Sequence, residues 1–275
     1  MKMVEPFDLG KMGFHSPEAV HLMSEAERRV YADRSEHLGD PDFYKIPKFL
    51  QNPDYLRQRM ADYDAQKATK SASIKAGSWP TESEQTTHLS VVDADGGAVS
   101  LTTTLNDNFG CKTVVAGAGF VLNNEMDDFS SKPGVPNYYG LIGAEANAIQ
   151  PGKTMLSSMT PTIDLKNNKL HLVVGTPGGA TIITSVFQTI INVLEYKMTL
   201  EKAIKAPRFH HQWLPDKIQY EEGGLPDATI AKLKQMGHEL STRKVIGLVD
   251  AILVQPDGKL EAVGDYRGDD TAGGY

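Results

Sequence analysis

Hydrophobic and polar positions follow two different rhythms along this chain, and the change falls near residue 86. Upstream, Ala19, Met23, Ala26 and Val30 recur at spacings of four, three and four, the period of an amphipathic helix. Ser16 can cap it, Pro17 suits the first helical position and Glu18 suits the positive end of the helix dipole. The pattern therefore predicts a helix from about Ser16 to His37. From Asn52 to Gln85 the periodicity weakens. That stretch predicts a short helix followed by a surface linker, with Lys70-Ser71-Ala72-Ser73 and Gly77-Ser78-Trp79-Pro80 in its second half.

Beyond Gln85 the period shortens to that of strands. Thr87 to Asp93 and Ala98 to Leu105 flank Asp95-Gly96, a dipeptide that tolerates the positive φ angles of a tight hairpin. Val99, Leu101, Thr103 and Leu105 alternate with Ser100, Thr102, Thr104 and Asn106, so Thr104 and Asn106 share one polar face. A two-residue loop would set Thr87 opposite Thr104, with Thr86 beside it. A second hairpin is predicted across Asn167-Asn168, from Thr162 to Leu165 and Leu170 to Val174. It leads through Gly175-Thr176-Pro177-Gly178-Gly179 into an apolar helix with Ile182, Val186, Ile190 and Val193 on its main stripe. Leu200 to Lys205 and Pro226 to Met236 read as helices, and Val249 to Gln255 with Lys259 to Val263 as a third hairpin. Hairpins separated by helices predict a layered α/β (α+β) sandwich rather than a doubly wound parallel sheet.

Composition narrows the partners. The 275 residues carry a formal charge of −7 with no basic cluster, which argues against nucleic acid or an anionic membrane surface and for a small-molecule ligand. The single cysteine, Cys111, cannot form an internal disulfide and is expected to be a buried small hydrophobe. No stretch approaches the length of an apolar membrane span, and the start lacks the pattern of a signal peptide. His88, His210 and His211 fit no metal-ligand spacing. No metal or cofactor is expected.

Candidate chemistry centres on Thr86, where the polar linker meets a strand. A threonine hydroxyl is a weak nucleophile until a base takes its proton, and an α-amine on the same residue can do so, because its pKa of about 7.7–8.0 lies near neutrality. That role requires Thr86 to become a chain terminus by cleavage of the Gln85–Thr86 bond. Taken alone, a Thr-Thr pair before a strand expresses only β-propensity.

The surrounding segments supply the context. They are YADRSEHLGDPDF (Tyr31 to Phe43), QTTHLSVVD (Gln85 to Asp93), LNDNFG (Leu105 to Gly110), LNNEMDDFS (Leu122 to Ser130), KPGVPN (Lys132 to Asn137), LSSMTPTI (Leu156 to Ile163), GTPGG (Gly175 to Gly179) and APRFHHQWLPD (Ala206 to Asp216). In this order the chain resembles the γ-glutamyltranspeptidase family from about Phe7 to Tyr275. The resemblance implies an αββα Ntn-hydrolase fold, autocatalytic cleavage before Thr86, and transfer of a γ-glutamyl group through an acyl-threonine ester. Residues 1–85 then match the end of the large subunit with its linker, and 86–275 the small-subunit catalytic region.

Carried over position by position, the resemblance makes Thr86 the nucleophile and Thr104 the threonine that orients it. It gives Asn106, Glu125 and Asp128 to the donor's α-amino group, Ser157 and Ser158 to its α-carboxylate, Gly178 and Gly179 to the oxyanion hole, and Tyr139 to a lid over the site. The chemistry suits these residue types: acceptors and negative charge for an ammonium, hydroxyls or N–H groups for a carboxylate, and glycines at a helix N-terminus for an oxyanion. His210 and His211 are read as structural. Family precursors are about twice as long, and their upstream half supplies further strands, a secretion signal and an arginine that clamps the α-carboxylate, so an upstream partner and a periplasmic or extracellular location are expected. Glutathione or other γ-glutamyl compounds would be donors, and water, amino acids or peptides acceptors. Two alternatives stand beside this: a non-catalytic remnant, and a β-lactam side-chain acylase of the same fold.

Overall fold

The computed structural model describes residues 1–74, 86–135, 137 and 141–274. In chain order its main elements are α1 (Leu9–Met12), α2 (Pro17–His37), α3 (Pro53–Arg59), β1 (Thr87–Val92), β2 (Ala98–Thr103), β3 (Thr162–Lys166), β4 (Lys169–Gly175), α4 (Thr181–Leu194), α5 (Leu200–Lys205), β5 (Phe209–His210), β6 (Ile218–Glu221), α6 (Asp227–Gln235), β7 (Leu240–Arg243), β8 (Asp250–Val254) and β9 (Leu260–Val263). They form two compact units. The first comprises Met1–Ser83, Glu125–Ser157 and Phe209–Arg243, the second Glu84–Asn124, Ser158–Arg208 and Lys244–Tyr275.

In the first unit α2 starts where the capping signals predict, with the Ser16 hydroxyl accepting the Ala19 N–H at 3.1 Å. It is not amphipathic as expected. Ala19, Met23 and Ala26 of the stripe are buried as expected, but Val30 is 41% exposed and Glu25, Arg28 and Arg29 are fully buried as well. Their pairing explains that burial: Glu25 accepts from Arg28 at 3.3 Å and Arg29 at 2.6 Å, Arg29 reaches Asp62 at 2.7 Å, and Arg28 reaches Asp216. Buried charges persist where each has a hydrogen-bonded opposite.

Ser71, expected in an exposed linker, is buried in the same network. Its N–H donates to Asp216 at 2.8 Å, and its carbonyl accepts the Trp213 indole N–H at 3.1 Å. Gly77-Ser78-Trp79-Pro80 lies outside the described residues. The unit also holds a sheet the sequence did not reveal, in the order β5-β6-β7, with β6 and β7 parallel. Burial drives the imidazoles of His210 and His211 down to about 3 and about 4. Neutral, buried and hydrogen-bonded to Gln212 and through the backbone to Glu27, they have the structural role expected of them.

The second unit is a layered α+β structure. Its four-stranded sheet runs β3-β4-β8-β9. On β4, Leu172 and Val174 point to one face, where Val186 and Val193 of α4 and Leu200, Ala203 and Ile204 of α5 complete an aliphatic core. Val173 and Gly175 point to the other, where the β1–β2 hairpin packs. The Asn167-Asn168 turn is as predicted, with φ of 54° and 59°, the left-handed pair of a two-residue hairpin. The first hairpin differs by one register position: Thr87 pairs with Thr103 and Val92 with Ala98. The reason is Asp93, whose carboxylate accepts the N–H groups of Asp95 and Gly97 at 3.0 and 2.7 Å and widens the loop. Cys111, expected to be buried, is exposed. Among the described residues no helix is long and apolar enough to cross a membrane.

Candidate active site

Thr86 immediately precedes β1 and is part-buried. Its hydroxyl donates to the Thr104 hydroxyl at 3.3 Å. Thr104 Oγ1 in turn accepts the Asn106 N–H at 2.8 Å, which fixes the second threonine from behind. Asn106 is 3% exposed with φ of 74°, a conformation asparagine tolerates better than most residues. Its amide donates to the Asn124 carbonyl at 3.1 Å, and the Asn124 side chain accepts the Asp107 N–H at 2.9 Å. The shifted register therefore serves the expected pairing of Thr86 with Thr104 better than the predicted one.

The glycine loop lies at the end of β4. His88, two residues after Thr86, lays its ring against Gly175 so closely that a β-carbon there would sit 2.1 Å from His88 Cε1. Only glycine permits this approach, and it ties the threonine-bearing hairpin to the strand that leads into the loop. Burial lowers the His88 pKa to about 4, and its two ring nitrogens meet Thr102 at 2.8 Å and Ser90 at 3.1 Å. His88 is neutral and structural.

Gly178 has φ of 138°, a region open essentially to glycine. Its carbonyl accepts both the hydroxyl and the N–H of Thr181, at 2.7 and 3.0 Å, at the start of α4. The loop is braced from below. Thr176 Oγ1 accepts the Leu248 N–H at 2.7 Å, and buried Arg208 donates to the Ile246 and Gly247 carbonyls at 2.9 and 3.1 Å and to Asp265 at 2.7 Å. Burial works to raise the Asp265 carboxyl, but Arg208, the Val249 N–H and Arg267 outweigh it and hold the group below its ordinary range. Backbone N–H groups at a helix N-terminus, held rigidly, can stabilise an oxyanion.

In the first unit Glu125 and Asp128 stand on one short 3-10 turn, Glu125–Asp128. Burial, then the neighbouring Asp128 charge, pushes the Glu125 carboxyl up to about 7. Burial also raises Asp128, to about 6, against the pull of Arg34. Asn147 Nδ2 donates to the Asp128 carbonyl at 2.7 Å, and its Oδ1 accepts the Leu156 N–H at 3.0 Å, so the same asparagine fixes the turn and the approach to Ser157. The segment before Ser157 is anchored by the GDP motif: Asp40 accepts the Thr154 N–H and hydroxyl, each at 2.8 Å, and a β-carbon at Gly39 would collide with the Ala146 carbonyl.

Thr86, Thr104, Asn106, Ser158, Gly178 and Gly179 thus belong to the second unit, and Glu125, Asp128 and Ser157 to the first. Ser157 and Ser158 are part-buried. Tyr139 lies outside the described residues. Sequence reasoning missed Arg34 and the Arg208–Asp265 pair. The segments containing Arg34 and Arg208 were visible, but nothing local marks either arginine as buried. It also missed His21, Glu25 and His238, whose possible ligand atoms lie within 4.8 Å of one another. His21 Nδ1 and His238 Nε2 are hydrogen-bonded at 2.7 Å, and Glu25 is held by Arg28, Arg29 and the Thr69 N–H. These groups satisfy one another, and the two guanidinium groups oppose a cation.

The γ-glutamyltranspeptidase family model matches residues 1–275, from end to end. The chain belongs to the γ-glutamyltranspeptidase family. Glutathione hydrolase proenzyme of Escherichia coli strain K12 is 49% identical over 278 residues, which cover 100% of this chain and 48% of that protein. A solved γ-glutamyltranspeptidase from Pseudomonas nitroreducens, complexed with L-DON, shares 49% identity at a TM-score of 0.66, over 69% of this chain and 99% of its own. Acylase ACY 1 proenzyme of Pseudomonas sp. strain SE83 is more distant, 34% identical over 98% of this chain and 46% of its own length. The γ-glutamyltranspeptidase likeness extends to the α+β fold expected of an Ntn hydrolase. The chain spans about half the length of these curated relatives.

Proposed function

We propose that this chain, completed by an upstream half, is a γ-glutamyltransferase and glutathione hydrolase. The observation that carries the reading is the pair of hydroxyls, Thr86 on Thr104 at 3.3 Å, at the start of the first strand of a chain matched throughout by this family. In maturation Thr86 Oγ1 attacks the Gln85 carbonyl carbon. The peptide C–N bond breaks, the Thr86 nitrogen takes up the hydroxyl proton, and an ester to Gln85 remains. Water cleaves it, leaving a Gln85 carboxylate, the Thr86 hydroxyl and a terminal amine.

In turnover that amine takes the hydroxyl proton as Oγ1 attacks the donor's γ-carbonyl. The N–H groups of Gly178 and Gly179 receive the oxyanion, the leaving amine takes the proton, and a γ-glutamyl ester of Thr86 remains. Water or an amino-acid amine then accepts the acyl group and the hydroxyl is restored. Asn106, Glu125 and Asp128 would hold the donor's ammonium, and Ser157 and Ser158 its carboxylate. The carboxylates favour a γ-glutamyl donor over the glutaryl group of an acylase substrate, which has no ammonium to match them.

An upstream partner is supported by the outer face of the β1–β2 hairpin, where Leu89, Val91, Val99 and Leu101 are 42–53% exposed. A contiguous apolar face of this kind marks a surface that is normally covered. The test is turnover of γ-glutamyl-p-nitroanilide and of glutaryl-p-nitroanilide by the full-length protein, with the Thr86→Ala protein as blank. The proposal expects turnover of the first substrate only. Turnover of the glutaryl substrate alone would make the acylase reading the better one.

A further inference from the structure

Helix α2 carries Arg34 into the interior of the first unit, where it is 7% exposed. The same small cavity is lined by Arg34, Asp128, Phe129, Asn137 and Ile142. Asp128 enters it from a turn whose backbone is pinned by Asn147, with its carboxylate approached by the Asn137 amide at 3.4 Å. Helix α2 is itself tied to the far wall, since the Ala144 N–H donates to the Ser35 carbonyl at 2.9 Å. A guanidinium carried on a rigid helix thus shares a small cavity with a carboxylate fixed on a turn.

We propose that Arg34 is a positioning residue for donor recognition, keeping the Asp128 carboxylate ionised and oriented so that it can receive the ammonium of a γ-glutamyl donor. The inference rests on the reading of Asp128 given above. The groups facing Asp128 make the need plain. Glu125 and Asp127 on its own turn add negative charge, while Arg34, flanked by Tyr31, faces it from α2. Burial and Asp127 favour the neutral acid, and Arg34 opposes them with the Glu125 hydrogen bond, leaving Asp128 at about 6. With Glu125 up to about 7, the two carboxyls carry between one and two negative charges near neutrality. Without Arg34 the balance at pH 7 moves towards the neutral acids, and the ammonium loses part of its counter-charge.

The experiment measures kcat and KM for γ-glutamyl-p-nitroanilide from pH 5.5 to 8.5 in the full-length protein and in its Arg34→Gln, Arg34→Lys, Asp128→Asn and Arg34→Gln/Asp128→Asn variants. The expected result in Arg34→Gln is a KM raised about twofold at pH 7 and about eightfold at pH 5.5, with the acid limb of kcat/KM moved up by about one pH unit. Saturating kcat should change little. Arg34→Lys, which keeps the charge, should leave that limb near its wild-type position. In the Asp128→Asn background Arg34→Gln should have little further effect, as expected when one residue acts through the other.

Should Arg34→Gln not fold, as judged by circular dichroism and thermal unfolding, Arg34→Lys decides. An unmoved acid limb supports the proposal, and a displaced one overturns it. If Asp128→Asn raises KM but Arg34→Gln alters neither KM nor the limb, the role of Arg34 is wrong and the reading of Asp128 stands. If Asp128→Asn itself leaves KM unchanged, the ammonium site is wrong and the inference goes with it.

Discussion

The Thr86 end of the β1–β2 hairpin and the Glu125–Asp128 turn are built from opposite materials. Around Thr86 the candidate groups are neutral: two hydroxyls, an asparagine and the N–H groups of a glycine loop, set at the ends of β1 and β2 and just before a 14-residue helix. The nearby ionisable groups, His88 and the Arg208–Asp265 pair, are locked in single charge states and serve as packing and bracing. On the Glu125–Asp128 turn the functional groups are carboxyls, raised towards neutrality by burial and adjusted by an arginine. In the proposed mechanism the contrast separates two tasks. Bond-making needs fixed geometry, which neutral groups braced at the ends of strands and a helix supply, whereas holding an ammonium needs charge, which must be kept ionised against burial.

Four perturbations should break or sharpen that division. The largest is Gly178→Ala. Its φ of 138° and a β-carbon 2.7 Å from Thr181 Oγ1 leave no room for a side chain, so the loop must shift and displace a donor. A loss of about 10²–10³ in kcat is expected with KM near wild type, the scale of losing one oxyanion donor. A native kcat would remove the loop from the mechanism.

Asp128→Asn should act on the other term. Losing a charge-assisted contact of about 1.5–3 kcal/mol raises the donor KM by roughly 10–150-fold and spares saturating kcat. A fall in kcat at unchanged KM would erase the distinction between the regions.

The pH dependence is a finer probe. Both carboxyls have raised pKa values, so their charged forms appear only above about 6 for Asp128 and about 7 for Glu125. kcat/KM should therefore fall more steeply below pH 6–7 than protonation of the Thr86 amine alone would make it, and that extra fall should shrink in Asp128→Asn. An extra fall confined to about pH 4, the ordinary carboxyl range, would show that the two carboxyls are not desolvated as described.

The smallest effect concerns stability. His210, His211 and His238 are driven down to about 3, 4 and 3, chiefly by burial. A histidine whose folded pKa lies below its unfolded value of about 6.5 contributes stability that is complete above pH 6.5 and is lost as pH falls towards the folded value. Thermal unfolding between pH 7 and 4.5 should show a progressive fall in Tm, larger in the wild type than in His238→Gln. An equal or greater fall in the variant would contradict the burial of that imidazole as a neutral group.

Much of the second unit was legible because its signals are local. Two-residue asparagine turns, alternating strands and capped helices are written within about ten residues, and the Asn167-Asn168 hairpin and α5 fall where the pattern puts them. The first hairpin's register was missed by one position because Asp93 widens its turn with side-chain contacts that composition does not announce. The first unit was harder to read because it is held by distant partners. Arg28 and Asp216 are 188 residues apart, so the charged face of α2 looked solvent-bound when Glu25, Arg28 and Arg29 are as buried as its apolar residues. The sheet β5-β6-β7 escaped notice for a similar reason: its strands have two to four residues, and its parallel pair is separated by α6. Thr86 and Thr104 were brought together by hairpin reasoning alone, whereas Glu125, Asp128 and the two serines came only from the family likeness.

The central claim is that Thr86 cuts the chain and then works at the new terminus. Intact mass with N-terminal sequencing of the full-length protein and its Thr86→Ala, Thr86→Ser and Thr87→Ala variants tests it most directly. The account predicts two fragments in the wild type, the second beginning at Thr86. It predicts a single uncut chain for Thr86→Ala, partial cutting for Thr86→Ser, and normal cutting for Thr87→Ala, whose side chain is exposed on β1. Cleavage at a different bond, or cleavage that persists in Thr86→Ala, would contradict it.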